Sequence, residues 1–377
     1  MPRTIIDFHV IQTVPPSNIN RDDTGSPKTA VYGGVTRARV SSQSWKRAVR
    51  DGFDDLLDRD QLGVRTKQVV EMVGKEIATR SPDLADRAFE LAKAVLEAAG
   101  FKLKAARKKT DDLEQAEFLL FLSHQQVGNL ADLAVEAAHA AGEAKLTIEK
   151  AEAKARADRD HSVDVSLFGR MVANLPELNV EAAVQVAHAL SVHKVTNEYD
   201  YFTAVDDYKA NDDEEDAGAG MIGTVEFNSS TLYRYAALDV DQLQRNLGDV
   251  VATRRAVEAF TRAFVTTMPS GKQNTFANRT LPDAVLVVAR ETQPVNLVGA
   301  FEEAVGEGEK GGRITASIHR LATHARDLHE AFDETPLHTW AFGVGERIEP
   351  LAELGERSTL DGVVNGVGAL VADRLSP

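Results

Sequence analysis

The stretch GGVTRARVSSQSWKRAVR, residues 33–50, holds five cations and no acid in a chain of 377 residues whose formal charge is −15. Its first half alternates. Val35, Arg37 and Arg39 fall on one side of an extended backbone, with Thr36, Ala38 and Val40 on the other, which predicts a strand with one basic face. Its second half changes period. Ser41 or Ser42 can cap a helix in which Trp45, Ala48 and Val49 gather on one side, while Lys46, Arg47 and Arg50 fall within about 100° of one another on the opposite side. A strand thus runs into an amphipathic helix whose outer face is cationic.

Upstream, RTIIDFHVIQTV (3–14) predicts another strand, with Ile6, Phe8 and Val10 inward and Asp7, His9 and Thr13 on a solvent face. PPSNINRDDTGSPK (15–28) is turn chemistry and sets Arg21 and Lys28 outside the core. From about 53 to 165 the composition shifts to Ala, Leu, Glu and Lys with helical spacing, for example over 82–100 and 117–142. KLTIEKAEAKARADRDH is charged all round and predicts a mobile or solvent-bridging helix. Strand patterning returns at 180–195 and 224–236, where Phe227, Thr231, Tyr233 and Tyr235 share a face. Between them, Asp206–Asp216 carries seven acids and one lysine, the flexible tip of two extended arms. A helix at 249–268, a loop PSGKQNTFANRT, a buried strand at 283–291 and helices near 294–306 and 313–333 complete an α+β order with a helical insertion, unlike the repeated βα units of a parallel sheet.

Residues 1–50 carry eight Lys or Arg against three acids, hence +5, which leaves −20 for the other 327. A basic patch on an acidic body attracts a polyanion to one surface and repels it elsewhere, although a charge run can also be a solvated face. No apolar run reaches the length of a membrane span, and the N-terminus lacks a greasy leader. With no cysteine in the chain, disulfides, thiolate metal sites and cysteine nucleophiles are excluded, so a cytoplasmic protein is expected.

Enzyme motifs fail individually. PSGKQN lacks the first glycine of a phosphate loop, where Thr266 stands, and the hydroxyl after the lysine, where Gln273 stands. His188 and His193 fall on opposite faces of a strand, which spoils a shared metal site. His9, the one ribonuclease-like base, sits on the predicted solvent face. A binding surface uses what is present. SSQSWKRAVR offers hydroxyls, free N–H groups and cations to phosphates, and Tyr201, Phe202 or Met171 can stack on or wedge between bases, unless they are core residues.

NRDDTGSPKTAVYGGVTRARVSSQSWKRAVR, together with SLFGRM (166–171), YFTAVDD (201–207) and PSGKQNTF (269–276), resembles the CasC family, the backbone subunits of type I-E CRISPR Cascade, nearly end to end. The resemblance implies a non-catalytic protein, without cofactor or metal, built as an RRM-like (ferredoxin-like) palm at 1–52, 176–195 and 224–377, helical fingers at 53–175 and a hairpin-like thumb at 196–223. It implies RNA contacts at Arg21, Lys28, Ser41, Gln43, Lys46, Arg47, Arg50, Arg170 and Lys272, with Met171 and Phe202 as wedges. The implied partners are crRNA, adjacent copies of the chain, the subunits CasA, CasB, CasD and CasE, and target DNA paired to the crRNA. A CRISPR RNA-processing endoribonuclease and a protein-only scaffold are the alternatives. The acidic thumb tip is longer than this family pattern leads one to expect.

Overall fold

The computed structural model describes residues 3–105, 113–142, 144–172, 175–204 and 221–376. The acidic tip, Asp206–Asp216, lies outside the described residues. The chain forms a mixed α/β structure of two units, each assembled from separated segments. One comprises Met1–Gly52, Val186–Leu238 and Phe260–Val367; the other comprises Phe53–Gln185, Asp239–Ala259 and Gly368–Pro377. Residues 176–185, 239–259 and 368–377, which fall in palm segments of the sequence reading, therefore group with the helices. No helix among the described residues is long and apolar enough to cross a membrane.

The first unit is built on a sheet whose strands run, edge to edge, Glu356–Arg357, His338–Gly343, Ala284–Arg290, Ile5–Ser17, Met221–Asp239, Ala189–Ser191, Val35–Val40 and Thr29–Tyr32. Ile5 pairs with Arg290 and Ile11 with Ala284. The first strand therefore lies in the middle of the sheet, covered on both faces, and this overturns its predicted solvent side: Asp7 and His9 are fully buried. Two devices keep them tolerable there, since a buried polar group must find partners. Asp7 lies 2.9 Å from Arg290 Nε and accepts 2.8 Å and 3.1 Å bonds from Tyr235 Oη and Val295 N–H. His9 stacks on Tyr233 and Tyr235, with its Nδ1 2.9 Å from Tyr233 Oη. On the other face, Phe8 meets the edges of Phe260 and Phe264 at 5.5 and 5.9 Å.

Val35–Val40 is the strand that the alternation in the opening stretch predicts, and it pairs with Thr29–Tyr32 in a hairpin. Its turn, Gly33–Gly34, has φ of 57° and 75°, the left-handed pair that only glycine adopts cheaply. A Cβ on Gly33 would collide with the Glu302 carbonyl. The predicted basic face is corrected at Arg37. Its side chain is entirely buried, and the guanidinium donates to the carbonyls of Tyr32, Ser191, Phe301 and Glu302 at 2.9–3.1 Å. The two extended arms are present too: Glu198–Ala204 runs antiparallel to the start of Met221–Asp239, with Glu198 opposite Phe227 and Ala204 opposite Met221.

The second unit packs Val69–Arg80, Ala88–Ala98, His124–Ala141 and Lys150–Ala157 around one apolar cluster that includes Val73, Leu91, Leu130 and Ala134. Two expectations are corrected. The predicted helix over 117–142 begins as a strand, Leu120–Ser123, paired with Gly63–Thr66; four buried residues serve either structure, and the partner decides. The predicted solvent-bridging helix buries Ala153 and Ala157 completely, and Arg156 ties it to Glu136 at 2.9 Å.

Candidate nucleic-acid interface

The basic helix runs over Ser42–Phe53. Trp45, Ala48 and Val49 are buried, as predicted. Gln43 and Arg47 are exposed, and Lys46 and Arg50 are half-buried. Burial also holds the Lys46 ammonium below the usual lysine pKa, which favours a nearby anion as its partner. Arg47 faces Asp51 at 3.7 Å, both well exposed, a contact that a phosphate can replace at little cost. Beneath the helix, the Arg234 guanidinium lies 3.8 Å from the centre of the Trp45 ring. It also donates to Gln12 Oε1 at 2.5 Å and to the Phe264 carbonyl.

Ser41 precedes the first helical residue, so it caps the helix rather than offering a free hydroxyl. Its side chain is buried, and Oγ receives Ser44 N–H at 3.4 Å. A loop residue completes the cap. Asn20 Oδ1 accepts Ser41 N–H at 2.8 Å, and Asn20 Nδ2 donates to Ser44 Oγ at 3.0 Å.

That loop is folded, not merely polar. The Asp22 carboxylate accepts from the backbone N–H groups of Thr24 and Ser26 at 2.9 and 3.0 Å and from the Thr24 hydroxyl at 2.7 Å. The Thr24 bond, followed by the backbone bonds, holds its pKa below the usual carboxylate value. Arg21 bridges to Pro27 and is exposed. Lys28 N–H donates to the Asn20 carbonyl at 2.9 Å, and the Lys28 carbonyl accepts Arg39 N–H at 2.8 Å. Arg39 in turn reaches His188 Nδ1 at 3.2 Å. Burial, then Arg39 and Lys28, push His188 below its ordinary pKa. Ser17, Asn20, Lys28, Arg39, Asn228 and Ser230 help line a shallow cleft here. The loop of Lys272 also comes to this place, because a Cβ on Gly271 would stand 2.3 Å from the Ile19 carbonyl. Lys272 itself is left-handed, with φ of 52°.

Arg21, Lys28, Ser41, Gln43, Lys46, Arg47, Arg50 and Lys272 thus belong to one unit, around two loops and one helix. Phe202 lies in the same unit, on the hairpin arm. It is exposed, and its ring covers Gly223 on the paired strand. Arg170 and Met171 belong to the helical unit. Met171 is 83% exposed, which removes the core-packing reading. Arg170 is corrected as an available cation. Its side chain is buried, donating to the carbonyl of Leu178 and pairing with Asp158 at 3.0 Å. Sequence reasoning missed Asn20, Arg234 and His188. Asn20 sits in a run of turn residues, and nothing local to that run points to Ser41 and Ser44. Among the described residues no group of three or more His, Asp or Glu is placed to hold a metal ion.

Comparison with known proteins gives these features a context. A family model described as CT1975-like protein matches residues 6–366. A chain of a CRISPR RNA-guided surveillance complex in a pre-nicking state superposes with a TM-score of 0.85 at 37% identity, covering 97% of this chain and 100% of that one. A chain of a second CRISPR RNA-guided surveillance complex gives 0.75 at 33% identity, covering 97% and 99%. No curated protein matches. With the family model spanning nearly all of the sequence and the fold shared throughout, the chain belongs to the CT1975-like family and is a Cascade CasC-like protein.

Proposed function

We propose that this protein is a non-catalytic backbone subunit of a type I-E Cascade complex, several copies of which line up along one crRNA. The observation that carries the reading is the convergence of Arg21, Lys28, Lys46, Arg47 and Arg50 on one loop and one helix of an otherwise acidic chain. Cations and helix N–H groups hold phosphates without reading bases. The bases of the guide are then free to pair with target DNA, and sequence recognition passes to that pairing. The strand order Ala284–Arg290, Ile5–Ser17, Met221–Asp239, Ala189–Ser191 supports a ferredoxin-like palm, since it is the order that a split β-α-β unit produces. Exposed Met171 and Phe202 suit wedges that interrupt the guide at intervals, and CasA, CasB, CasD and CasE are the further partners. An endoribonuclease needs a base that meets RNA, and the burial of His9 speaks against that role for it.

The test is coexpression with a guide RNA, followed by the 260/280 nm absorbance ratio before and after ribonuclease. RNA should copurify, and changing Lys46, Arg47 and Arg50 together to Glu should abolish it while the chain stays folded. RNA retained by the triple variant overturns the interface. Cleavage of repeat RNA by the purified protein establishes the endoribonuclease, and the absence of nucleic acid from the wild-type complex establishes a protein-only scaffold.

A further inference from the structure

Asn20 stands at the joint between the two cation-bearing pieces. Its side chain accepts the N–H of Ser41 and donates a hydrogen bond to the Ser44 hydroxyl, three residues on. In a capping box, the residue three after the cap folds back to take the cap's own N–H. Ser44 is too short for that, and an amide from a separate loop does it instead. The main-chain carbonyl of the same residue holds Lys28, and the next residue is Arg21. One asparagine therefore fixes the Arg21–Lys28 loop to the first turn of the helix that carries Lys46, Arg47 and Arg50.

We propose that Asn20 is the positioning residue of the RNA grip, which aligns the loop cations with the helix cations on one phosphate backbone. The proposal rests on the RNA-binding reading above. Phosphates recur at fixed spacing, so cations on two pieces act together only if the pieces keep register. At about 0.1 M salt each phosphate neutralised on a single strand is worth about fivefold in affinity. A loop cut loose should forfeit the share of Arg21 and Lys28, while the helix keeps its own.

The experiment measures the full chain against a fluorescein-labelled single-stranded RNA oligonucleotide over a range of salt. Asn20→Ala should weaken binding by about tenfold or more and flatten the salt slope by about the share of two phosphate contacts. Adding Arg21→Gln and Lys28→Gln to Asn20→Ala should then cost little, whereas in wild type the same pair costs as much as Asn20→Ala. Losses that multiply, or a wild-type slope in Asn20→Ala, overturn the proposal. If Asn20→Ala does not fold, Asn20→Asp decides. Its carboxylate still accepts from Ser41 and from the Ser44 hydroxyl at the positive end of a helix, so melting should hold. With both contacts kept the loop stays in register, so adding Arg21→Gln and Lys28→Gln to Asn20→Asp should cost as much as it does in wild type. Little cost of that pair in a folded Asn20→Asp also overturns the proposal. The triple Lys46, Arg47, Arg50 to Glu variant separates the levels: if it binds RNA like wild type the functional reading fails, and if it alone loses RNA only the role of Asn20 fails.

Discussion

Replacing Trp45 by alanine probes how the basic helix is held. The side chain is 1% exposed, and its ring lies under a guanidinium that also sits 4.7 Å from the centre of the Phe264 ring. Truncating a buried aromatic costs about 3–5 kcal/mol, and a desolvated cation–π contact adds about 2 kcal/mol. Trp45→Ala should therefore destabilise the sheet unit by about 5–7 kcal/mol, against a typical total of about 5–15 kcal/mol. Trp45→Phe keeps a ring face for Arg234. The indole N–H has no hydrogen-bond partner to lose, so a cost of only about 1–2 kcal/mol is expected. Urea denaturation followed by the fluorescence of Trp340, the other tryptophan and a buried one, reads both variants. Equal losses for Phe and Ala, or a loss below about 2 kcal/mol for Ala, would refute the argument that the stacked cation anchors this helix.

Asp7 and His9 predict opposed pH effects. Burial, against the pull of Arg290 and bonds from Tyr235 and Val295, raises the Asp7 pKa to about 6; its stabilising contribution is complete below the unfolded value near 3.8 and is lost as pH rises through 6. Burial, then Arg290 and His329, lower His9 to about 3, so its contribution is complete above 6.5 and is lost as pH falls towards 3. Relative to wild type, His9→Gln should gain stability between pH 6 and 4 and Asp7→Asn should lose it; thermal melts that stay parallel to wild type across this window would exclude the coupling. Arg170→Ala removes a buried hub and leaves the Leu178 carbonyl without its donor, so it should cost the helical unit about 3–5 kcal/mol in urea and leave the affinity of the basic helix for short RNA unchanged; lost RNA binding in a folded variant would return Arg170 to the interface. Met171→Ala and Phe202→Ala remove exposed side chains and should change melting little, while altering which guide positions tolerate a mismatch with target DNA; a tolerance map identical to wild type would remove both as wedges.

The elements that were legible in the sequence are those whose partners are local. In the helix 42–53 the apolar positions Trp45, Ala48 and Val49 lie on one side at a period of 3.6, and the structure buries that side. The strand before it, Val35–Val40, shows its alternation within six residues. The polar residues of the sheet were misplaced for one physical reason. Alternation assigns Asp7, His9 and Arg37 to solvent, but Arg290, Tyr233, Ser191 and Phe301 arrive from 150 to 290 positions away and satisfy them inside. Arg170 fails in the same way, since its partner Leu178 is close in sequence but its burial depends on the whole helical unit. Leu120–Ser123 was ambiguous because a short apolar run fits a strand or a helix until its neighbour is known. The cations Arg21, Lys28, Lys46, Arg47 and Arg50 were legible as a group, since charge needs no partner to be seen; Asn20, which connects them, was not.

The first strand pairs over residues 5–11 with residues 284–290, and the last segment of the helical unit begins at Gly368. Neither unit can close until most of the chain has left the ribosome. At about 5–20 residues per second, the strand Ile5–Ser17 waits roughly 15–55 s for Ala284–Arg290. Through that interval the basic helix has been synthesised while the sheet beneath it is incomplete. The helix therefore gains its support only after residues 284–290 have followed it out of the ribosome.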